Sequence, residues 1–426
     1  MLVGIAKDLI TPDRLTFMGG YGSFFDKPFQ GIHDDLYVRA LLLDDGRQPL
    51  LFVSLDLLFH DYALTETIQT YIGQTYGLPR DSLFLAYSHT HGGPAVRGYD
   101  DTSQHSAAYE SFLQDRIRSC IDRVMVNRFE GTIAYGSVTG DWNINRRRQV
   151  DGAVLNMPNP EGVKDDCMHV LRVTDCNGKT RAILFNFACH PVTVRDAPFL
   201  SGDYPGRVCH LLEAEFFGGM GIFFQGAGGN SRPKATAKGG KFVAGSYEEM
   251  DDMAAAMTRS IVRLCRTPGA LAPVEADFAV RQFTIELALE AFPQSVFAET
   301  IQASDGFPGI RKIAERSLQT YDAMPEEARL FAGLVRLSEH LYIACMGGEP
   351  CYEVKQKLEA LLPGKTLLFF GYADATAYIP DDKIIAEGGY EAAESAVEYG
   401  LKGGFKPGID KCMAEAFAAA YAEIGH

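Results

Sequence analysis

No stretch of this chain holds the ~20 consecutive apolar residues that a membrane-spanning helix needs, so membrane insertion is not expected. An excess of positive charge is also missing. The formal net charge is −15, which makes nucleic acid or an anionic membrane surface a poor partner. The nine cysteines are odd in number and scattered, with no Cys-x-x-Cys pair, so no disulfide framework is expected. The opening Met1-Leu2-Val3-Gly4-Ile5-Ala6 is too short for an export signal, and Lys7 and Asp8 interrupt it at once. Internal repeats and low-complexity linkers are absent too. Together these absences predict one continuous domain, residues 1–426, in a reducing cytoplasm. With 46% apolar residues among 426, the chain can bury a large core.

What is present alternates between apolar strands and amphipathic helices. Residues 37–43 and 50–55 read as paired strands around the turn Asp44-Asp45-Gly46-Arg47. Residues 62–76 carry helical spacing and stop at Gly77-Leu78-Pro79. Ser246-Tyr247-Glu248-Glu249 is a capping box. The helix it opens sets Met250, Met253, Ala254, Met257, Ile261 and Leu264 on one face as core packing. Residues 274–289 alternate in part like a strand and lead into a segment expected to be mostly helical around 294–340. An alanine-rich helix over 410–424 closes the chain. The expected fold class is α/β, a single large domain with a mixed β-sheet core flanked by helices.

The most informative stretch is Ser88-His89-Thr90-His91-Gly92-Gly93-Pro94, directly after the apolar run Leu83-Phe84-Leu85-Ala86-Tyr87. Histidines two positions apart on an extended backbone point to the same side. The Gly-Gly-Pro that follows stops the strand and permits close approach. Imidazole is the commonest zinc ligand, so the pair reads as half of a metal site or as a structural or surface pair. Four further apolar runs deliver polar groups where the active sites of α/β sheets collect. The run 182–189 delivers His190-Pro191, and 221–224 delivers Gln225-Gly226-Ala227-Gly228-Gly229-Asn230-Ser231-Arg232-Pro233. The run 341–346 delivers Gly347-Gly348-Glu349-Pro350, and 366–371 is followed by Asp374 and Tyr378. Read alone, His190 is a core histidine or a ligand, Glu349 a turn residue or a ligand, and Tyr378 packing. His33 and Asp56 are structural or ligand-orienting groups. Arg146 opens a run of three arginines that by default is a solvated basic loop. His60, His105, His169, His210, His340 and His426 have no supporting context.

In their order these pieces resemble the catalytic domain of neutral/alkaline (non-lysosomal) ceramidases, which are zinc-dependent amide hydrolases. The resemblance runs from Gly31-Ile32-His33-Asp34 and Arg39-Ala40 through Val53-Ser54-Leu55-Asp56 to the His-x-His loop. It continues over Asn143-Ile144-Asn145-Arg146, Asn186-Phe187-Ala188-Cys189-His190-Pro191, Gly348-Glu349, Tyr378 and Tyr390-Glu391. It implies that His89, His190, Glu349 and Tyr378 hold one zinc ion at the C-terminal ends of strands. It also implies that His91 carries a proton or binds the oxyanion, and that Arg146 and Tyr390 stand near the substrate. A mixed N/O donor set suits zinc, with room for a water at a fifth position. Bound zinc lowers the pKa of that water towards ~7 and polarises the carbonyl under attack.

Two departures from the family pattern shape the expected function. The family carries a serine in a Gly-Asn/Asp-x-Ser-Pro loop, and here the loop reads Gly229-Asn230-Ser231-Arg232-Pro233. Anchored on Gly229, Asn230 and Pro233, the serine position falls on Arg232; a one-residue shift puts Ser231 there. Attack by metal-activated water is therefore favoured, with Ser231 and Arg232 both retained as candidate site residues. A guanidinium at this place suits a substrate carboxylate or phosphate, or else turns away to a structural carboxylate. Family members that act on lipids are typically exported and carry a further C-terminal β-domain, and neither is expected here. The expected small-molecule substrate is thus a soluble amide. The alternatives are an ester or lactone of a polar metabolite, and a non-catalytic binding protein that keeps the fold.

Overall fold

The computed structural model describes residues 1–20, 27–96, 107–304 and 307–425. Its strands form two principal sheets laid face to face, each covered by helices on its outer side. Across the larger sheet run Met220–Gln225, Thr180–Phe187, Cys167–Asp175, Phe129–Thr139, Leu2–Leu9, Tyr37–Asp44, Pro49–Leu55 and Leu83–Tyr87, with Ala272–Pro273 paired beside Phe129–Thr139. The second sheet runs Thr366–Phe370, Leu341–Met346, Glu327–Ser338, Ala279–Ala291 and Gly403–Phe405. Parallel and antiparallel pairs occur in both, so the expected mixed core is observed, divided between two sheets.

Side-chain alternation explains the layering. In Pro49–Leu55, Leu50 and Phe52 point between the sheets, while Leu51, Val53 and Leu55 point outward to helices α1 (Tyr62–Tyr76) and α2 (Ala107–Val126). The predicted stop of α1 is observed at Gly77, whose φ of 67° lets its N–H return to the Gly73 carbonyl. Helices α3 (Asp203–Glu215) and α4 (Tyr247–Arg266) cover the opposite flank of the same sheet. Both halves of the Ser246–Glu249 capping box are formed, and Met250, Met253, Ala254, Met257 and Ile261 are buried as expected. The chain continues through α5 (Gln294–Ala303), α6 (Pro308–Gln319), α7 (Tyr352–Ala360), the short α8 (Asp382–Glu387) and α9 (Ile409–Ile424). Val354 and Leu358 of α7, with Met413 and Phe417 of α9, seal the outer face of the second sheet.

One element departs from the sequence reading. Helix within 294–340 ends at Gln319, and Glu327–Ser338 is an inner strand of the second sheet. Leu330, Ala332 and Leu334 of this strand face the helices, while Phe331, Val335 and Leu337 face the other sheet. A strand that is apolar on both faces loses the period-two signal and reads as part of a buried helix.

Three parallel strand pairs place the functional loops. Pro49–Leu55 lies beside Leu83–Tyr87, Thr180–Phe187 beside Met220–Gln225, and Leu341–Met346 beside Thr366–Phe370. Parallel neighbours end on the same side, and backbone bonds draw the three pairs together there. The Asn186 amide donates to the carbonyls of Phe224 and Phe369, both at 2.8 Å. Gly371 N–H donates to Gln225 and Tyr87 N–H to Tyr372, at 2.9 and 3.0 Å. All five strand-to-loop junctions singled out in the sequence therefore gather at one end of the molecule.

Just past the Leu58-Phe59 turn, buried His60 lies between Asp61 at 2.9 Å and Glu110 at 2.8 Å. Burial opposes its charge, but hydrogen bonds to these two carboxylates outweigh it and lift the imidazole from 6.5 to about 9. Because the folded value is raised, the stabilisation is complete below pH 6.5 and is lost as pH rises through about 9. It amounts to roughly 3 kcal/mol at most. Urea unfolding should therefore show stability falling across this window, with the fall flattened in His60→Gln; parallel curves for the two proteins would contradict the assignment.

Candidate metal centre

The three histidines at the strand ends are oriented by the backbone. His89 leaves its strand in the left-handed region, at φ 66°, which is uncommon for a residue with a side chain. Its Nδ1 lies 3.0 Å from the Leu58 carbonyl oxygen. His91 Nδ1 lies 2.6 Å from that of Gly20, and His190 Nδ1 2.7 Å from that of Gly228. A carbonyl oxygen only accepts, so each Nδ1 carries a hydrogen and Nε2 is the ring nitrogen left to face the cleft. Those nitrogens face one another. The Nε2 atoms of His89 and His91 are 3.3 Å apart, and the ligand atoms of all three residues lie within 4.8 Å. Burial pushes His190 down to about 4 and His91 well below its ordinary value, so both rings are neutral at pH 7.

Two oxygens complete the convergence. Glu349 Oε2 lies 2.8 Å from His190 Nε2 and 3.3 Å from His89 Nε2, buried and without a hydrogen-bond donor. Its other oxygen accepts the Tyr399 hydroxyl. The Tyr378 hydroxyl stands 3.2 Å from His190 Nε2. Glu349 and Tyr378 are direct register partners in a short parallel pair, Glu349–Pro350 with Tyr378–Ile379. That pairing depends on Gly348, where a Cβ would lie 2.4 Å from the Ala377 carbonyl oxygen and φ is 65°. Imidazole nitrogens, a buried carboxylate oxygen and a phenol facing one point make a donor set that could hold a divalent cation, and its mixed N/O chemistry fits zinc.

These groups line a cleft of about 540 Å³. Arg146 reaches it from the strand Asn143–Val150, and here the default reading of its arginine run is overturned: Arg146 and Arg147 are buried. Glu391 holds both, at 2.7 Å from Arg146 Nε and 2.7 Å from Arg147 Nη1. Arg147 also donates to the carbonyl of Gly388, just past α8. Arg146 Nη2 makes no hydrogen bond among the described residues, and the guanidinium carbon stands 5.1 Å from the centre of the Tyr378 ring. Tyr390 packs its ring 5.3 Å from that of Tyr378 and donates its hydroxyl to Glu398 at 2.8 Å.

Of the two loop candidates, Arg232 lines the cleft and Ser231 does not. Ser231 is buried opposite Asn145 in a small antiparallel sheet, and its hydroxyl makes no hydrogen bond among the described residues. Arg232 stacks its guanidinium 4.7 Å from the centre of the Phe242 ring. The structure thus brings His89, His91, His190, Glu349, Tyr378, Arg146, Tyr390 and Arg232 together, with His91 placed among the metal-facing nitrogens rather than apart from them. Glu398 and Tyr399 were not anticipated from the sequence. They follow no strand end, and a carboxylate and an aromatic in an alanine-rich stretch are weak signals. Elsewhere, Asp56 pairs with buried Arg39 at 2.6 Å, and His33 stacks on Tyr247 with its Nδ1 2.7 Å from Asp34. His169 joins Tyr135 and Lys355, His210 and His340 are exposed, and His105 and His426 lie outside the described residues.

Elemental analysis of protein loaded with zinc and then desalted should find about one ion per chain, the count of one such donor set. His190→Ala and Glu349→Ala should each lose it, whereas Ser231→Ala should retain it. Full zinc content in the first two variants would remove these residues from the site.

Comparisons with known proteins bear on the family and the fold. The family model for neutral/alkaline non-lysosomal ceramidase, N-terminal, matches residues 1–254. Among solved structures, the neutral ceramidase from Pseudomonas aeruginosa superposes with a TM-score of 0.76 at 17% identity, over 99% of this chain and 74% of that one. A ceramidase complexed with C2 superposes with a TM-score of 0.75 at 16% identity, over 99% of this chain and 75% of that one. At such identities the superpositions speak for the fold, including the second sheet, all of which lies beyond residue 254. With its N-terminal three-fifths matched by the family model and its fold shared throughout, the chain belongs to the neutral/alkaline non-lysosomal ceramidase family.

Proposed function

We propose that this protein is a zinc-dependent amidohydrolase that cleaves a linear N-acyl amide with metal-activated water, on a soluble and anionic substrate. The observation that carries the reading is the convergence of three imidazole lone pairs and the Glu349 oxygen on one point of the cleft. His89, His190, Glu349 and Tyr378 would hold the ion, with His91 against them. Zinc bound there supplies a Lewis acid that polarises a carbonyl and lowers the pKa of a water toward neutrality.

The remaining steps belong to the protein. The Nε2 lone pair of His91 accepts a proton from the attacking water, its ring held by the Gly20 carbonyl. Arg146 aims its remaining N–H group at negative charge developing on the carbonyl oxygen, fixed in place by Glu391. Water rather than serine as nucleophile is supported by the burial of the Ser231 hydroxyl away from the cleft wall. Arg232 and Arg195 line that wall as well, which favours a substrate bearing a carboxylate or phosphate.

The test is a panel of N-acyl amides, with and without a carboxylate on the amine side and with ceramide included, assayed before and after chelation. Chelator-sensitive cleavage of the carboxylated members is expected. Arg232→Met should raise KM for them by roughly 10- to 100-fold, the worth of one charge-assisted contact, and spare neutral amides. Ser231→Ala should leave the rate unchanged. Cleavage that survives complete zinc removal, or faster turnover of ceramide than of any soluble amide, would overturn the corresponding part of the proposal.

A further inference from the structure

Breaking a C–N bond requires the nitrogen to gain a proton, because an amine anion is far too basic to depart. The cleft holds few groups able to give one. The Nδ1 hydrogens of His89, His91 and His190 are held on the carbonyls of Leu58, Gly20 and Gly228, and His91 Nε2 has only the proton it takes from the attacking water, which goes on to reset the site. Tyr399 donates its hydroxyl hydrogen to Glu349. Asp196 pairs with Arg195 at 3.1 Å, and both are well exposed. Glu398 stands apart from all of these. It lines the same wall as the metal-facing groups, forms no ion pair among the described residues, and takes the Tyr390 hydroxyl on one oxygen at 2.8 Å. Tyr390 in turn packs against Tyr378, so the Glu398–Tyr390 pair lies one aromatic ring away from the converging donors.

Resting on the amide-hydrolase reading, we infer that Glu398 is a further catalytic residue, the acid that protonates the departing amine, with Tyr390 as its positioning residue. As the water oxygen bonds to the carbonyl carbon, the C=O electron pair moves to the oxygen facing Arg146 and the water proton goes to His91; when that pair returns, the C–N pair goes to nitrogen, which takes the Glu398 proton. The amine leaves neutral and Glu398 is left as a carboxylate that keeps the Tyr390 hydrogen bond. The proton surrendered by the attacking water restores Glu398, so the net reaction is amide plus water to acid plus amine. Burial pushes the Glu398 carboxyl up to about 7, so a protonated fraction is present at neutral pH.

The experiment compares an anilide with a nitrophenyl ester of the same acyl acid, because nitrophenolate departs without a proton. Zinc-loaded Glu398→Gln preserves an oxygen for the Tyr390 hydroxyl. Its anilide turnover should drop by about 10²–10⁴, while ester turnover changes by no more than about threefold. Across anilides of rising amine basicity the loss should grow, with zinc content and thermal midpoint at wild-type values. Equal loss on both substrates, or no loss on either, overturns the role. Wild-type protein that cleaves neither substrate overturns the hydrolase reading and this inference with it. If Glu398→Gln does not fold, Tyr390→Phe is read on the same pair of substrates and should show the same selectivity.

Discussion

Neutral imidazoles turned lone pair to lone pair repel one another, and a carboxylate oxygen placed beside them adds to the repulsion. Here that arrangement is built into the chain fold, because the carbonyls of Leu58, Gly20 and Gly228 leave His89, His91 and His190 no other tautomer. A divalent cation would turn the same geometry from repulsive to attractive, since the lone pairs of His89, His190 and Glu349 would then have an acceptor orbital to face. The three carbonyls belong to three separate loops. The carbonyl contacts therefore orient these side chains as much as the strands do.

The rest of the architecture serves this convergence. Parallel pairing puts strand ends from both sheets on one side, and the Asn186 amide joins two of those ends across the sheet interface. The close contact of Gly229 with the Glu349 backbone, where a Cβ would lie 2.5 Å from the Glu349 oxygen, brings the Asn230 loop against the Glu349 strand. Asn230 then donates to Glu353 at 2.7 Å, tying that loop to the first turn of α7. Beside the centre, two arginines share one carboxylate: Arg146 and Arg147 on Glu391. Such a triad keeps one positive charge in excess next to the Tyr378 ring, where it opposes the burial that holds the Tyr378 phenol well above its ordinary value. Removing Glu391 would leave two buried cations without a counter-charge, so its role is electrostatic as well as steric.

Much of this was legible in the sequence, for identifiable reasons. The helix at 62–76 and the capping box at Ser246 are local signals, set by glycine conformation and by a four-residue hydrogen-bond motif, and both survive into the fold. His89, His190 and Glu349 drew notice because each follows an apolar run, whereas Tyr378, packing when read alone, was singled out by the family resemblance. Three features were hidden. The strand Glu327–Ser338 is apolar on both faces and so lost its period-two pattern. The arginine run at 146 looked solvated because its partner, Glu391, is 245 residues away in the chain. Glu398 and Tyr399 owe their place to the turn Glu394–Val397 packed over the cleft, a tertiary fact with no local marker. Ser231 against Arg232 was a question of one residue of register, and pairing of Ser231 with Asn145 decides which side chain reaches the cleft.

The most direct test of the central claim is anomalous diffraction at the zinc edge from crystals of the zinc-loaded protein. The account predicts one strong peak per chain, at bonding distance from His89 Nε2, His190 Nε2, Glu349 Oε2 and the Tyr378 oxygen. A cleft without a peak in fully loaded crystals, or a peak held by other residues, would contradict it.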